Sequence, residues 1–203
     1  NVNDSKKVKI LNELNIKYNI ENIEGENGMY SVKLLSGLNL ISIKGFYYIN
    51  DDKMYLWNNN GFFIYNDSKL TNIFIANIIK FHYISDTEIY LSGDGFYKYD
   101  GNDVALIDSR YFNDFYYVNE NKIYLISNNN LYEYNGSEIT LIYTNYRTGF
   151  CCGNGNNIYF LGNNGLFTYD STGVSQISSG YFDGFYYISS SEIYLWGEYG
   201  FYL

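Results

Sequence analysis

The sequence predicts an all-β fold: a six-bladed β-propeller of four-stranded antiparallel blades, closed by the N-terminal strand completing the last blade. Three observations predict it. Near-copies of one unit recur along the 203 residues, with Phe46, Phe81, Phe115, Phe150 and Phe185 following one another at steps of 35, 34, 35 and 35. A fixed period of roughly 20 to 50 residues is the signature of repeat architecture. The apolar runs inside each unit are short, rich in Tyr, Phe, Ile and Leu, and bounded by Asn, Asp, Gly and Ser, which is the pattern of strands and tight turns. The units also close on themselves. The turn residues Gly28, Gly61, Gly95, Asn130, Gly165 and Gly200 are 33, 34, 35, 35 and 35 apart, and the step from Gly200 through the chain ends back to Gly28 is 31.

Each element of the unit has its own justification. The first run opens with the repeated Phe, as in Phe46-Tyr47-Tyr48-Ile49 and Phe185-Tyr186-Tyr187-Ile188. The second covers Met54 to Trp57, Ile89 to Leu91, Ile123 to Ile126, Ile158 to Leu161 and Ile193 to Trp196. The third starts at the turn glycine or Asn130. A fourth, less regular run follows at Leu70 to Ile75, Val104 to Ile107, Ile139 to Tyr143 and Val174 to Ile177. Several runs are continuously apolar, which suits strands covered on both faces, and a four-stranded sheet packed between two copies of itself is a propeller blade. The last unit stops before its fourth run. Asn3-Asp4-Ser5-Lys6 repeats Asn66-Asp67-Ser68-Lys69, so Lys7 to Leu11 is expected to supply that strand and to pair edges otherwise left open. The predicted organisation is one domain, residues 1–203, with blades at about 13–45, 46–80, 81–114, 115–149, 150–184, and 185–203 plus 1–12. The first blade is the most degenerate, showing Gly28-Met29-Tyr30 clearly and Ile16 to Ile20 only loosely.

Composition narrows the function classes. The chain carries 26 Tyr, 14 Phe and 2 Trp, each able to bury roughly 150 to 250 Å², so most of them are expected to pack between blades. Proline is absent, which leaves every turn to Asn, Asp, Gly and Ser. A net charge of -9 without a Lys/Arg cluster argues against nucleic acid as a partner. No apolar run approaches the ~18 residues of a membrane span. Opening on Asn1 rather than Met, the chain reads as a monomeric domain of a larger protein. Cys151 and Cys152 are adjacent in a strand, where neighbouring side chains point to opposite faces. They read as buried thiols replacing a Tyr pair, without a disulfide framework. That does not exclude an extracellular or cell-surface setting, which is favoured.

If the first strand is innermost and the chain meanders outward, the loops sort by face. Connections between second and third strands emerge on the same side as those linking successive blades. That rim collects the candidate binding residues Trp57, Asn59, Asp94, Arg110, Asp114, Arg147, Asp183, Trp196, Glu198 and Tyr199, because binding residues concentrate on loops held by a rigid scaffold. The competing reading is that Asn-Asn-Gly is hairpin chemistry and Tyr-Phe-Asp a repeated packing plug. No cofactor is implied. His82, the single histidine, stands where other blades carry Tyr and reads as a core or channel residue. Zinc would want several Cys or His at ligand spacing, and no P-loop, GxGxxG or EF-hand motif is present. An acid pair at the ring centre would draw on Asp94, Asp114, Asp183 and Glu198.

The unit Glu-Ile-Tyr-Leu, turn, Gly-Phe-Tyr-x-Tyr-Asp-Gly, spanning Glu88 to Gly101 and echoed at Asn157 to Asp170, resembles the blades of NHL and two-component-sensor propellers. The resemblance implies recognition of proteins, ligands or glycans more often than catalysis, and no functional residue of those families has a counterpart here. The expected function is a non-catalytic recognition or scaffold module that binds a protein partner through the rim. Its alternatives are a lectin-like glycan-binding propeller and a hydrolase or lyase using loop carboxylates at the central channel.

Overall fold

The computed structural model describes residues 17–19, 32–36, 39–50, 52–67, 69–152, 157–197 and 200–202. Among these, every regular element is a strand, and each pairing is antiparallel between neighbours in sequence. The chain divides into two compact units, Asn1–Phe115 and Tyr116–Leu203.

The first unit opens with a three-stranded sheet of β1 (Lys17–Asn19), β2 (Val32–Ser36) and β3 (Asn39–Ile43). Two four-stranded sheets follow. One contains β4 (Gly45–Asn50), β5 (Lys53–Asn58), β6 (Gly61–Asn66) and β7 (Lys69–Phe74). The other contains β8 (Ile78–Ser85), β9 (Glu88–Gly93), β10 (Phe96–Tyr99) and β11 (Val104–Asp108). The sheet that starts at the unit boundary has β12 (Asp114–Asn119), β13 (Lys122–Ser127), β14 (Asn130–Tyr134) and β15 (Ile139–Thr144). The second unit continues with β16 (Tyr146–Cys152), β17 (Ile158–Gly162), β18 (Gly165–Asp170) and β19 (Gly173–Ser179). It ends with the three-stranded sheet β20 (Gly184–Ser189), β21 (Glu192–Gly197) and β22 (Gly200–Tyr202). The segment expected to complete the last sheet, 1–12, lies outside the described residues, as do Gly28-Met29-Tyr30 and the side chains of Cys151 and Cys152.

Strand order matches depth. The second strands β5, β9, β13 and β17 are buried almost throughout, as continuous apolar runs require. The fourth strands β7, β11, β15 and β19 are largely exposed. In all four four-stranded sheets the third and fourth strands slip register at one place, between Phe62/Phe63, Phe96/Tyr97, Leu131/Tyr132 and Leu166/Phe167. A bulge repeated this way bends the strand and raises its twist. β8 and β16 begin three and four residues before the repeated Phe, and bulges at Ile78/Lys80, Tyr146/Thr148 and Thr148/Phe150 absorb the extra length. Arg147, expected in a rim loop, therefore sits in a bulged strand.

Hydrogen-bonded turns replace proline. Each described hairpin between first and second strands is closed by a side chain accepting the amide two residues on: Asn50 from Asp52, Ser85 from Thr87, Asn119 from Asn121 and Ser189 from Ser191. Between third and fourth strands, Asp100, Asn135 and Asp170 do the same for Asn102, Ser137 and Thr172. These are the Asx and Ser/Thr turns that such residues favour.

Aromatic side chains join neighbouring sheets within each unit. In the first, Tyr55, Trp57 and Phe62 of one sheet pack against Phe81, Ile89 and Leu91 of the next, with Trp57 stacked on Phe81 at 4.6 Å and 5° and Tyr47 on Tyr83 at 4.7 Å. In the second, Tyr116 stacks on Phe150 at 4.1 Å and Tyr159 meets Tyr187 at 4.8 Å. Trp57 is 2% exposed. It belongs to the core rather than to the rim, because the following sheet presents Phe81 to its indole face.

Candidate functional site

On the rim of the first unit the loops hydrogen-bond to one another. Asp94 donates its amide to the Asn77 carbonyl at 3.1 Å, and Phe112 donates to Gly93 at 2.9 Å. A Cβ on Gly93 would lie 1.8 Å from the Asn77 carbonyl oxygen, so only glycine allows this approach. The Asp94 carboxylate accepts from the Asn77 amide and side chain at 3.2 and 3.3 Å, and Lys44 Nζ reaches Asn77 at 3.1 Å. Lys80 pairs with Asp114. Asp114 also accepts the Phe115 amide at 2.8 Å. Arg110 grips Asp108 through Nε and Nη2 at 2.9 and 2.7 Å and lies 5.5 Å over the Phe112 ring. That guanidinium, with the Arg110 amide, holds the Asp108 carboxyl below the usual carboxylate range against the opposing effect of burial.

The second unit repeats the scheme with different residues. Arg147 Nη1 donates to the Phe182 carbonyl and Nη2 to Asp183 at 3.0 Å, while its guanidinium lies 3.6 Å from the Tyr181 ring centre. Asp183 donates its amide to Trp196 at 2.8 Å. Trp196 is 37% exposed and seated over Gly184, where an added Cβ would lie 2.1 Å from the indole. Lys44–Asn77, Lys80–Asp114 and Arg147–Asp183 are one device. A cation at the start of one sheet reaches a polar group at the start of the next, 33, 34 and 36 residues on. Asn59 is exposed in the two-residue turn between β5 and β6. Glu198 and Tyr199 lie outside the described residues.

Most of the charged candidates are therefore engaged in holding sheets or loops together. The exposed aromatics of these loops are Tyr111, 45% exposed, and Tyr181, 58% exposed, whereas Tyr146, which also stands four residues before a repeated Phe, is buried. The exposed pair share that position in the repeat, each followed by a buried phenylalanine, Phe112 or Phe182. The competing sequence reading has Tyr-Phe-Asp as a repeated packing plug. The structure divides it, with Phe as the plug and Tyr as the exposed ring. Two Tyr-Phe pairs at one repeat position were the available signal, but which of two adjacent aromatics faces inward depends on the loop's path.

The opposite side of the first unit holds a second polar centre that the sequence did not mark. Asp86 accepts from Tyr55 OH at 2.9 Å and Tyr83 OH at 3.1 Å and pairs with Lys53 at 2.9 Å. Lys53 lowers the Asp86 carboxyl most, with the two phenols adding to it against burial; burial, then Asp86 itself, pushes the Tyr55 phenol upward. His82 meets the Phe115 ring edge-on at 6.4 Å, and burial, reinforced by Lys80, lowers its pKa. Among the described residues no group of three or more His, Cys, Asp or Glu could hold a metal ion, and no helix is long and apolar enough to cross a membrane.

The second unit also contains a cleft of about 660 Å³ between β19 and the β20–β21 hairpin. Its apolar walls are Leu166, Ile177, Phe182, Ile193 and Leu195, and Tyr181 stands at its rim end.

No protein-family model matches the sequence, and no curated protein does. Solved structures match the fold. Two structures of the extracellular domain of BT4673 from B. thetaiotaomicron, described in one as a one-component and in the other as a hybrid two-component system, superpose with TM-scores of 0.53 and 0.52 at 15% identity over 87% of this chain. The N-terminal domain of Nup159 gives 0.50 at 12% identity over 71%. This chain spans 30% of the BT4673 domain and 49% of the Nup159 domain. At such identities the likeness concerns the fold, and together with the repeated four-stranded antiparallel sheets it makes this a propeller-like all-β chain.

Proposed function

We propose that the chain is a non-catalytic recognition module, a ring of six blades closed by its N-terminal strand, that binds a protein partner through its rim loops. The observation that carries the reading is the pair Tyr111 and Tyr181, exposed at one repeat position beside arginine and anchored by buried Phe112 and Phe182. Tyr and Arg are enriched among the residues that dominate interface energies, and a rigid aromatic costs little entropy to immobilise. Arg147 and Arg110, fixed by Asp183 and Asp108, hold their surroundings in place rather than waiting for a partner. The carboxylates Asp114 and Asp183 are neutralised by cations in the same way, which leaves little for acid–base chemistry. The longer solved chains of similar fold support placement as one domain of a larger protein, a domain that this reading takes as monomeric.

The test is affinity capture with the chain tagged in its native host. A stoichiometric protein partner should be retained, and Tyr111→Ala and Tyr181→Ala should each lose about tenfold or more in affinity, as truncation of an interface anchor does. Retention of the partner by the double variant, or no stoichiometric partner at all, would remove this reading.

A further inference from the structure

The cleft beside β19 has a chemistry distinct from that of the rim. Its described polar residues are Ser178 and Ser179 at the rim end of β19, Ser190 and Ser191 in the turn of the β20–β21 hairpin, and Glu192 at the start of β21. Each serine hydroxyl donates one hydrogen bond and accepts two, and that of Ser191 also meets the Ser189 hydroxyl at 3.1 Å. Among the described lining residues there is no Lys, Arg or His, and Glu192 would repel a phosphate, sulfate or carboxylate ligand. The Glu192 carboxylate accepts the Tyr194 hydroxyl at 3.0 Å, which holds it in place at one end of the cleft.

Between these polar groups the surface is apolar, with Ile177 48% exposed and Tyr181 at the mouth. Arg147 covers one face of the Tyr181 ring and fixes it without burying the residue. An occupant that suits these groups combines hydroxyls with an apolar C–H face and carries no negative charge. A volume near 660 Å³ falls within the roughly 300 to 1,000 Å³ of small-molecule sites, room for a mono- or disaccharide. We propose that the cleft between β19 and the β20–β21 hairpin is a binding site for a neutral saccharide, with Tyr181 stacking on a sugar ring and the four serines and Glu192 contacting its hydroxyls.

Calorimetric titration of the 203-residue chain tests it, using methyl glycosides and disaccharides of glucose, galactose, mannose and N-acetylglucosamine. Glucose 6-phosphate and tyramine serve as anionic and cationic comparisons. At least one neutral saccharide should bind saturably, with less than about twofold change between low and high salt, since no ion pair is formed. Ile177→Trp and Ser190→Tyr, both on exposed positions and both filling the cleft, should each weaken binding roughly tenfold, the equivalent of about 1.4 kcal/mol. Tyr111→Ala should leave saccharide binding unchanged, and Ile177→Trp should leave protein capture unchanged, so this site and the rim reading fail separately. Absence of binding by every neutral saccharide, preference for the phosphate or the amine, or full binding by both filled variants would overturn the proposal.

Discussion

At the residue scale, the polar side chains of this protein do most of their visible work between sheets. Asp86 shows how. It receives two phenols and an ammonium from two adjacent sheets, and its carboxyl is held below the ordinary value. A carboxyl whose folded pKa is depressed contributes stability above the unfolded value of about 4 and loses it as pH falls through the folded value. Asp86→Asn should therefore unfold more readily at neutral pH, and its stability should fall off less between about pH 5 and 3 than that of the wild type. The side chain is 50% exposed, so solvent screening limits the neutral-pH cost to about 1 kcal/mol. Urea unfolding across that pH range measures both, and parallel curves would exclude the role. None of this was legible beforehand. Asp86 reads as an ordinary turn residue, and the two tyrosines that reach it are 31 and 3 residues away.

At the element scale, the hairpins were the most legible part of the chain, since alternating apolar runs and Asn/Asp/Ser/Gly turns act over a few residues. Strands fall where the four runs of each unit place them, with starts displaced at β8 and β16 by bulges. A bulge leaves no mark in an apolar run and is decided by the neighbouring strand. The turn between β13 and β14 carries a sharp consequence of its backbone. Asn128 and Asn129 have φ of 49° and 62° and join paired Ser127 and Asn130, the arrangement of a type I′ hairpin. Asparagine tolerates this region where β-branched residues do not. Asn129→Val should cost about 1 to 2 kcal/mol and Asn129→Gly less than about 0.5 kcal/mol, read by chemical denaturation; equal effects would show that the turn is not strained. The same repeat also sets a limit on element-level reading. Trp57 and Trp196 occupy one position and both press on a glycine, Gly45 or Gly184, yet one is buried and the other 37% exposed. Burial belongs to what packs on the indole, and for Trp57 that is Phe81.

At the scale of the whole molecule, the repeat carries a proposal that the first residues complete the last sheet. Among the described residues, β22 is the third strand of a three-stranded sheet, whereas the corresponding strands β6, β10, β14 and β18 are each paired on both sides. Deleting residues 1–12 should remove pairing worth on the order of 3 kcal/mol, a fall in Tm of roughly 6 to 12 °C for a chain of this size. Calorimetry showing an unchanged Tm would refute closure by that segment. The repeat period, the strand content and the turn chemistry were determined by the sequence alone, because periodic burial and local hydrogen bonding act between residues close along the chain. Which rim residues are spent as clamps, which of the two adjacent aromatics in each loop faces outward, and where the cleft beside β19 opens were decided by the tertiary structure. These depend on side chains some 30 or more residues apart meeting across sheets, a distance over which no sequence pattern reports contact.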